Sequence, residues 1–241
     1  MTNIFKVFFS ISTILLLSAC DYFDQEKRQA ELCESQLNEV YKNSPLNNFA
    51  QQKFSKLLET RYSLYSEMFD EASLETSINT DLLAAISFQE SQWDPRAQSN
   101  MGVRGMMMVT LETAALVGVE KRLNPEQNIK GGARYLAILM DKNIYGKTTG
   151  DQLSIVLASY NLGPTNIINI SKTIDKIPSE LTWFDIEDKL KQINGEDVNL
   201  VDVNNYSRGQ QAIDYVYRIK NYYDLMAAHS CTNSKDRLTF F

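Results

Sequence analysis

The stretch "TDLLAAISFQESQWDPRAQSNMGVRGMMMVTLETA", residues 80–114, runs from a helix start into a loop rich in glycine and methionine. Thr80 reads as an N-cap and Asp81 as the acidic residue that favours a helix N-terminus. Leu82, Leu83, Ile86 and Trp93 recur at helical spacing, and Glu90 falls on their face, one turn beyond Ile86. Proline disfavours helix in the residue before it, so the segment stops at Asp94-Pro95. A carboxyl on an apolar face is desolvated, which raises its pKa and keeps it a proton donor near neutral pH. A single glutamate at a helix end is, however, more often a boundary residue in contact with water. The glycines at 102 and 105 then allow tight turns, and the methionines at 106, 107 and 108 offer a soft, adaptable surface.

Outward from this stretch the same period dominates. Phe54, Leu57, Leu58, Tyr62, Tyr65 and Phe69 predict a helix over 54–69, and further helices are expected at 129–142, 150–161, 165–173 and 211–227. No alternating strand of useful length occurs, and short extended pieces are expected only near 104–110. The architecture is therefore mainly α. Residues 21–43 are polar and helix-prone until "NSPLNN" breaks them, giving a helical spacer over 20–53, a folded domain over 54–228 and a tail over 229–241. With 241 residues, 44% of them hydrophobic, there is room for one ordinary domain and its core. A net charge of -6 argues against nucleic acid. The lone histidine, His229, has no neighbouring cluster of Cys, Asp or Glu, so no metal is expected.

The N-terminus, "MTNIFKVFFSISTILLLSAC", carries a lysine, a short apolar run and small residues before a cysteine, and reads as a signal segment over 1–19. Leu17-Ser18-Ala19-Cys20 resembles a bacterial lipobox, which implies a chain acylated at Cys20 and held on the periplasmic face of a membrane. The alternative is an ordinary cleaved signal with an incidental cysteine. Asp21 resembles an address that retains lipoproteins in the inner membrane, with the outer membrane as the other destination. Cys33 and Cys231 remain as a pair. They form a disulfide in an oxidising compartment or stay as two buried thiols.

The ordered pattern around Glu90 carries a resemblance. Glu90-Ser91, Trp93, Pro95, Ala97, Ser99, Gly102, Gly105, Met107 and Thr113-Ala114 are followed by "GGARYL" at 131–136, "ASYNLGP" at 158–164 and "DYVYRIKNYY" at 214–223. Together they resemble the lytic transglycosylases with a goose-type lysozyme-like domain, and "GVRGMMM" and "YSRG" are most like the catalytic half of the membrane-bound lytic murein transglycosylase F group. The resemblance covers about residues 55–227. It implies a lysozyme-like fold, peptidoglycan glycan strands as substrate and no cofactor. It makes Glu90 the catalytic acid and base that cleaves between N-acetylmuramic acid and N-acetylglucosamine and closes a 1,6-anhydro ring. By the same resemblance Ser99, Tyr160 and Asn161 line the site, with Tyr160 reaching toward Glu90 or the sugar, or only packing on the apolar stripe of its helix. Gly105, Met106 and Met108 offer close backbone and a soft surface to the sugar, while Met107 fills the core. Ser91 either lines the site or bonds its own backbone.

Two positions depart from the common pattern: Met108 stands where many relatives have glutamine, and Gln211 where some have glutamate. A partner acid is hard to find, since Asp94 before proline reads as a turn residue. A single acid suits assistance by the substrate's own N-acetyl group rather than the two carboxylates most glycosidases need. A hydrolytic muramidase and a non-catalytic peptidoglycan-binding lipoprotein are the alternatives.

Overall fold

A helix with no polar face has to lie at the centre of its fold. The helix Thr80–Ser91 is such a helix: every residue from Thr80 to Phe88 is buried, on all sides rather than along one stripe. The computed structural model describes residue 25 and residues 27–99, 102–192 and 208–233. The signal segment, Cys20, Asp21 and the first half of "YSRG" lie outside these residues.

The helices in chain order are α1 (27–43), α2 (Asn48–Thr60), α3 (Ser66–Thr76), α4 (Thr80–Ser91), α5 (Leu111–Val117), α6 (Pro125–Lys142), α7 (Thr149–Leu162), α8 (Pro164–Ser171), α9 (Trp183–Gln192) and α10 (Arg208–Asn233). Among the described residues the only extended pairings are isolated bridges, Gln98 with Arg104 and Arg104 with Val109, at the place where short extended pieces were expected. The mainly α architecture holds.

Internal contacts separate two units. The larger, Leu46–Met226, packs α3 on α4 and α6, α6 on α5 and α7, and α7 on α8 and α9. Its aromatic centre joins distant parts of the chain. Phe54 of α2 lies 4.9 Å from Phe88, 5.6 Å from Trp93 and stacks on Tyr222 of α10 at 5.6 Å. Ring pairs at such spacings add specific contacts to the area they bury. The larger unit begins at Leu46 and so includes all of α2, with Phe54 as its wholly buried residue.

The smaller unit holds α1 and the last turns of α10. Cys33 and Cys231 are joined by a disulfide with their Cα atoms 5.4 Å apart. Tyr41 and His229 share a hydrogen bond of 2.8 Å.

Two local expectations change. Residues 54–69 do not form one helix: the chain leaves helical geometry at Arg61 (φ -120°, ψ -55°), makes a 3-10 turn at Tyr62–Leu64 and restarts at Ser66. The Arg61 guanidinium reaches the carbonyl of Gln92, and the Tyr62 ring packs 5.1 Å from Trp93, so tertiary contacts override the local period. The cap of α4 is Asn79, whose Oδ1 accepts from the N–H groups of Asp81 and Leu82. Thr80 is already in the first turn and donates its hydroxyl to Asp70 at 3.0 Å.

Candidate active site

Glu90 projects from the last turn of α4, two residues past the wholly buried stretch, and keeps part of its surface accessible. Burial raises its pKa from 4.5 to about 7, against the opposing effect of a hydrogen bond from Tyr215. That bond is short: the Tyr215 hydroxyl of α10 donates to Oε1 at 2.6 Å. Tyr215 is itself buried, and burial together with the nearby Glu90 charge holds its phenol well above the usual range. The phenol therefore stays neutral and remains a donor. In the sequence, Ala212, Tyr215, Val216, Ile219 and Tyr223 recur at helical spacing, which places Tyr215 only on the apolar face of the last helix; a tyrosine rather than phenylalanine on that face is the available signal.

Tyr160 of α7 lies near the acid as well, since Glu90's charge is the second cause, after burial, of its raised pKa. Its hydroxyl donates to the Met107 carbonyl at 2.8 Å and not to Glu90. Tyr160 also meets Tyr135 of α6, with ring centroids 5.5 Å apart. Both tyrosines line a cleft of about 650 Å³, together with Met108, Thr113, Leu116 and Asn161. Glu112 sits on the same wall, where its charge acts on Tyr135.

The loop between α4 and α5 is a supported turn. Asn128 of α6 is fully buried and satisfies three backbone groups of its surroundings. Its Oδ1 accepts from Met107 N–H at 2.7 Å, and its Nδ2 donates to the carbonyls of Arg104 at 3.0 Å and Arg122 at 2.8 Å. Gly105 (φ +84°) faces this amide, and a Cβ there would collide with Asn128 and with the Arg122 carbonyl. Gly132 likewise leaves room for the Met107 side chain.

These contacts correct two site expectations. Gly105 is buried, and its missing side chain makes way for Asn128 rather than for a sugar. Met106 is wholly buried, so its side chain belongs to the core beside Met107. Met108 (φ +46°), partly exposed, is the methionine that reaches the cleft, with Tyr160 and the exposed Asn161. Ser99 accepts from Val103 N–H at 3.2 Å within the loop. Ser91 donates to the carbonyls of Ser87 at 3.1 Å and Met106 at 2.9 Å, which makes it a backbone partner. Asp94 accepts from Arg96 N–H at 2.9 Å, the turn role expected of it. Among the described residues no group of His, Cys, Asp and Glu is arranged to hold a metal ion, and no helix is long and apolar enough to cross a membrane.

Residues 67–179 match the family described as the transglycosylase SLT domain. The chain is 38% identical over 172 residues to "Membrane-bound lytic murein transglycosylase F 2" of Alkalilimnicola ehrlichii, an alignment covering 70% of this chain and 38% of the relative. It is 32% identical over 219 residues to the transglycosylase F of Photobacterium profundum, covering 90% of this chain and 42% of that one. The chain thus spans less than half the length of these relatives. Among solved structures it is similar to a 70 kDa soluble lytic transglycosylase of Escherichia coli, with a TM-score of 0.49 and 19% identity over 85% of this chain and 31% of the other.

Proposed function

This chain belongs to the transglycosylase SLT-domain family, and from that premise we propose that it is a peptidoglycan lytic transglycosylase. The observation that carries the reading is Glu90: a carboxyl raised to about 7, held by a neutral phenol and close enough to the cleft-lining Tyr160 for its charge to act there. A group whose pKa lies near ambient pH is accessible in both protonation states, which a single acid and base requires.

In the first step the Glu90 carboxyl protonates the oxygen between N-acetylmuramic acid and N-acetylglucosamine, and the C1–O bond breaks. The muramoyl N-acetyl carbonyl supports the positive charge at C1. Glu90, now a carboxylate, takes the proton of the C6 hydroxyl as O6 bonds to C1, leaving a 1,6-anhydro end. No water is consumed. Tyr215 occupies Oε1, which leaves Oε2 to exchange the proton. Met108, Tyr160 and Asn161 supply the sugar-facing wall, and Ser99, whose oxygen accepts from Val103, contributes its hydroxyl to the sugar. Digestion of purified sacculi tests this by mass: muropeptides one water lighter than hydrolytic products are expected. Ordinary reducing ends would instead make the protein a muramidase.

The reading extends to the cell. Cys20 carries the lipid, the protein works on the periplasmic face of a membrane in cell-wall remodelling, and Asp21 favours the inner membrane. The words "membrane-bound" in the relatives' names support an association of this kind. Cys20→Ala is expected to leave the membrane fraction or to keep its leader. A variant still processed and membrane-bound would remove the lipid from the proposal.

A further inference from the structure

Just beyond Glu90 the backbone is held against its preference. Gln92 (φ 56°, ψ 38°) and Trp93 (φ 57°) both lie in the left-handed region. One left-handed residue commonly closes a helix. A bulky tryptophan following it in the same region is rare and persists only where its surroundings impose it.

Three contacts impose it here. The Trp93 indole N–H donates to the Ala84 carbonyl at 2.9 Å, with its ring among Phe54, Tyr62 and Phe88. Ser91 is fastened to the Met106 carbonyl. The third contact comes from far along the chain, where Arg61 Nη1 donates to the Gln92 carbonyl at 3.2 Å. Arg61 is also the residue at which α2 leaves helical geometry. One hydrogen bond thus joins the break after α2 to the strained turn after the acid.

We propose that Arg61 is a positioning residue for Glu90: by holding the Gln92 carbonyl it sets the last turn of α4, and with it the separation of the Glu90 carboxyl from the Tyr215 hydroxyl. This rests on the reading of Glu90 as the acid. Arg61 and Tyr215 both lie outside residues 67–179, one before and one after. The acid and the turn after it are therefore contacted from both flanks by residues outside the matched segment.

The test compares Arg61→Met and Arg61→Lys in the full chain. Methionine keeps most of the length and loses the donor; lysine restores a donor. Two quantities are measured: turnover of soluble glycan strands against pH, and the titration of Glu90 followed by carboxyl carbon NMR. The titratable groups near Glu90 are Tyr215 of α10 and Tyr160 of α7, both held above the ordinary phenol range, so the titration observed near neutrality is that of Glu90. For Arg61→Met, kcat is expected to fall about threefold to tenfold, the worth of one hydrogen bond, with KM changed by less than about twofold. The Tyr215 bond lowers the Glu90 pKa, so loosening it moves the titration to higher pH. Arg61→Lys should recover most of both.

Wild-type kcat and wild-type titration in Arg61→Met would overturn the proposal, whatever happens to its melting temperature, because Arg61 would then only pack. Should Arg61→Met not fold, Arg61→Gln, too short to reach the carbonyl, is read in the same way. The NMR titration needs no turnover. If the wild type digests no peptidoglycan the functional reading fails, while the Glu90 titration still decides the role of Arg61.

Discussion

Glu90→Gln is expected to lower the digestion of sacculi by about 1,000-fold or more, the scale of losing a positioned acid that has no substitute nearby. Glutamine keeps the shape of the side chain and can still accept from Tyr215, so folding and glycan binding persist. Its stability carries a signature. The folded carboxyl titrates at about 7 and the unfolded one at 4.5, so the native state binds the proton more tightly. Stability owed to this group is therefore full in acid, declines as pH rises from about 4.5 to 7, and stays low above that. Glutamine escapes the penalty: the variant is expected to be more stable than wild type at pH 8, by on the order of 2 kcal/mol after allowing for the group's partial exposure, and equal to it at pH 4. Turnover at low substrate by the wild type should fall about tenfold per unit above pH 7 as the acid form is lost. Thermal melts at the two pH values and a pH–rate profile check these outcomes. Full activity in a folded Glu90→Gln variant would end the reading of this residue, and Asp94→Asn, altering only a turn, should stay active.

The second large effect is expected at a residue that touches no sugar. Asn128→Ala removes three hydrogen bonds at once and strands the buried N–H of Met107 with the carbonyls of Arg104 and Arg122. An unsatisfied buried group costs about 1–3 kcal/mol, and part of this sum is recovered as the loop relaxes, so a loss of about 3–5 kcal/mol is expected. For a body of this size that corresponds to a fall of roughly 10–15 °C in melting temperature. Asn128→Asp should not rescue it. The aspartate retains the acceptor for Met107 but turns an oxygen toward two carbonyls. Activity should fall further than stability alone accounts for, because the Met107 carbonyl that orients Tyr160 moves with the loop. A melt within about 3 °C of wild type for Asn128→Ala would show that water or loop movement replaces the amide.

How much of this was legible beforehand depends on the distance over which each feature is decided. Helices α6, α7, α8 and α10 are written in local periodicity, and their cores were predicted to within a few residues at most ends. Glu90 stood out because its polarity contradicts its face. The break at Arg61 was not legible, because it is made by a carbonyl 31 residues away and by a ring from another helix. The methionines show the same limit. Nothing local separates Met106 from Met108; only the fold of the loop over Asn128 sends one inside and leaves the other at the cleft. Tyr215 was seen as apolar surface, since the period reports the direction of a side chain and not the partner of its hydroxyl.

The disulfide between Cys33 and Cys231 joins positions 198 apart in sequence and closes the chain between them into a covalent ring. A pull on the chain ahead of Cys33 divides there between two routes, one along the backbone toward α2 and the other through sulfur into the end of α10. Neither route can lengthen without the other, so mechanical load entering from the N-terminal side cannot unravel α2 as a free end. A single backbone cut within the ring likewise releases no fragment until the sulfurs are reduced. Pulled from that side, such a molecule bears tension as a loop and not as a thread.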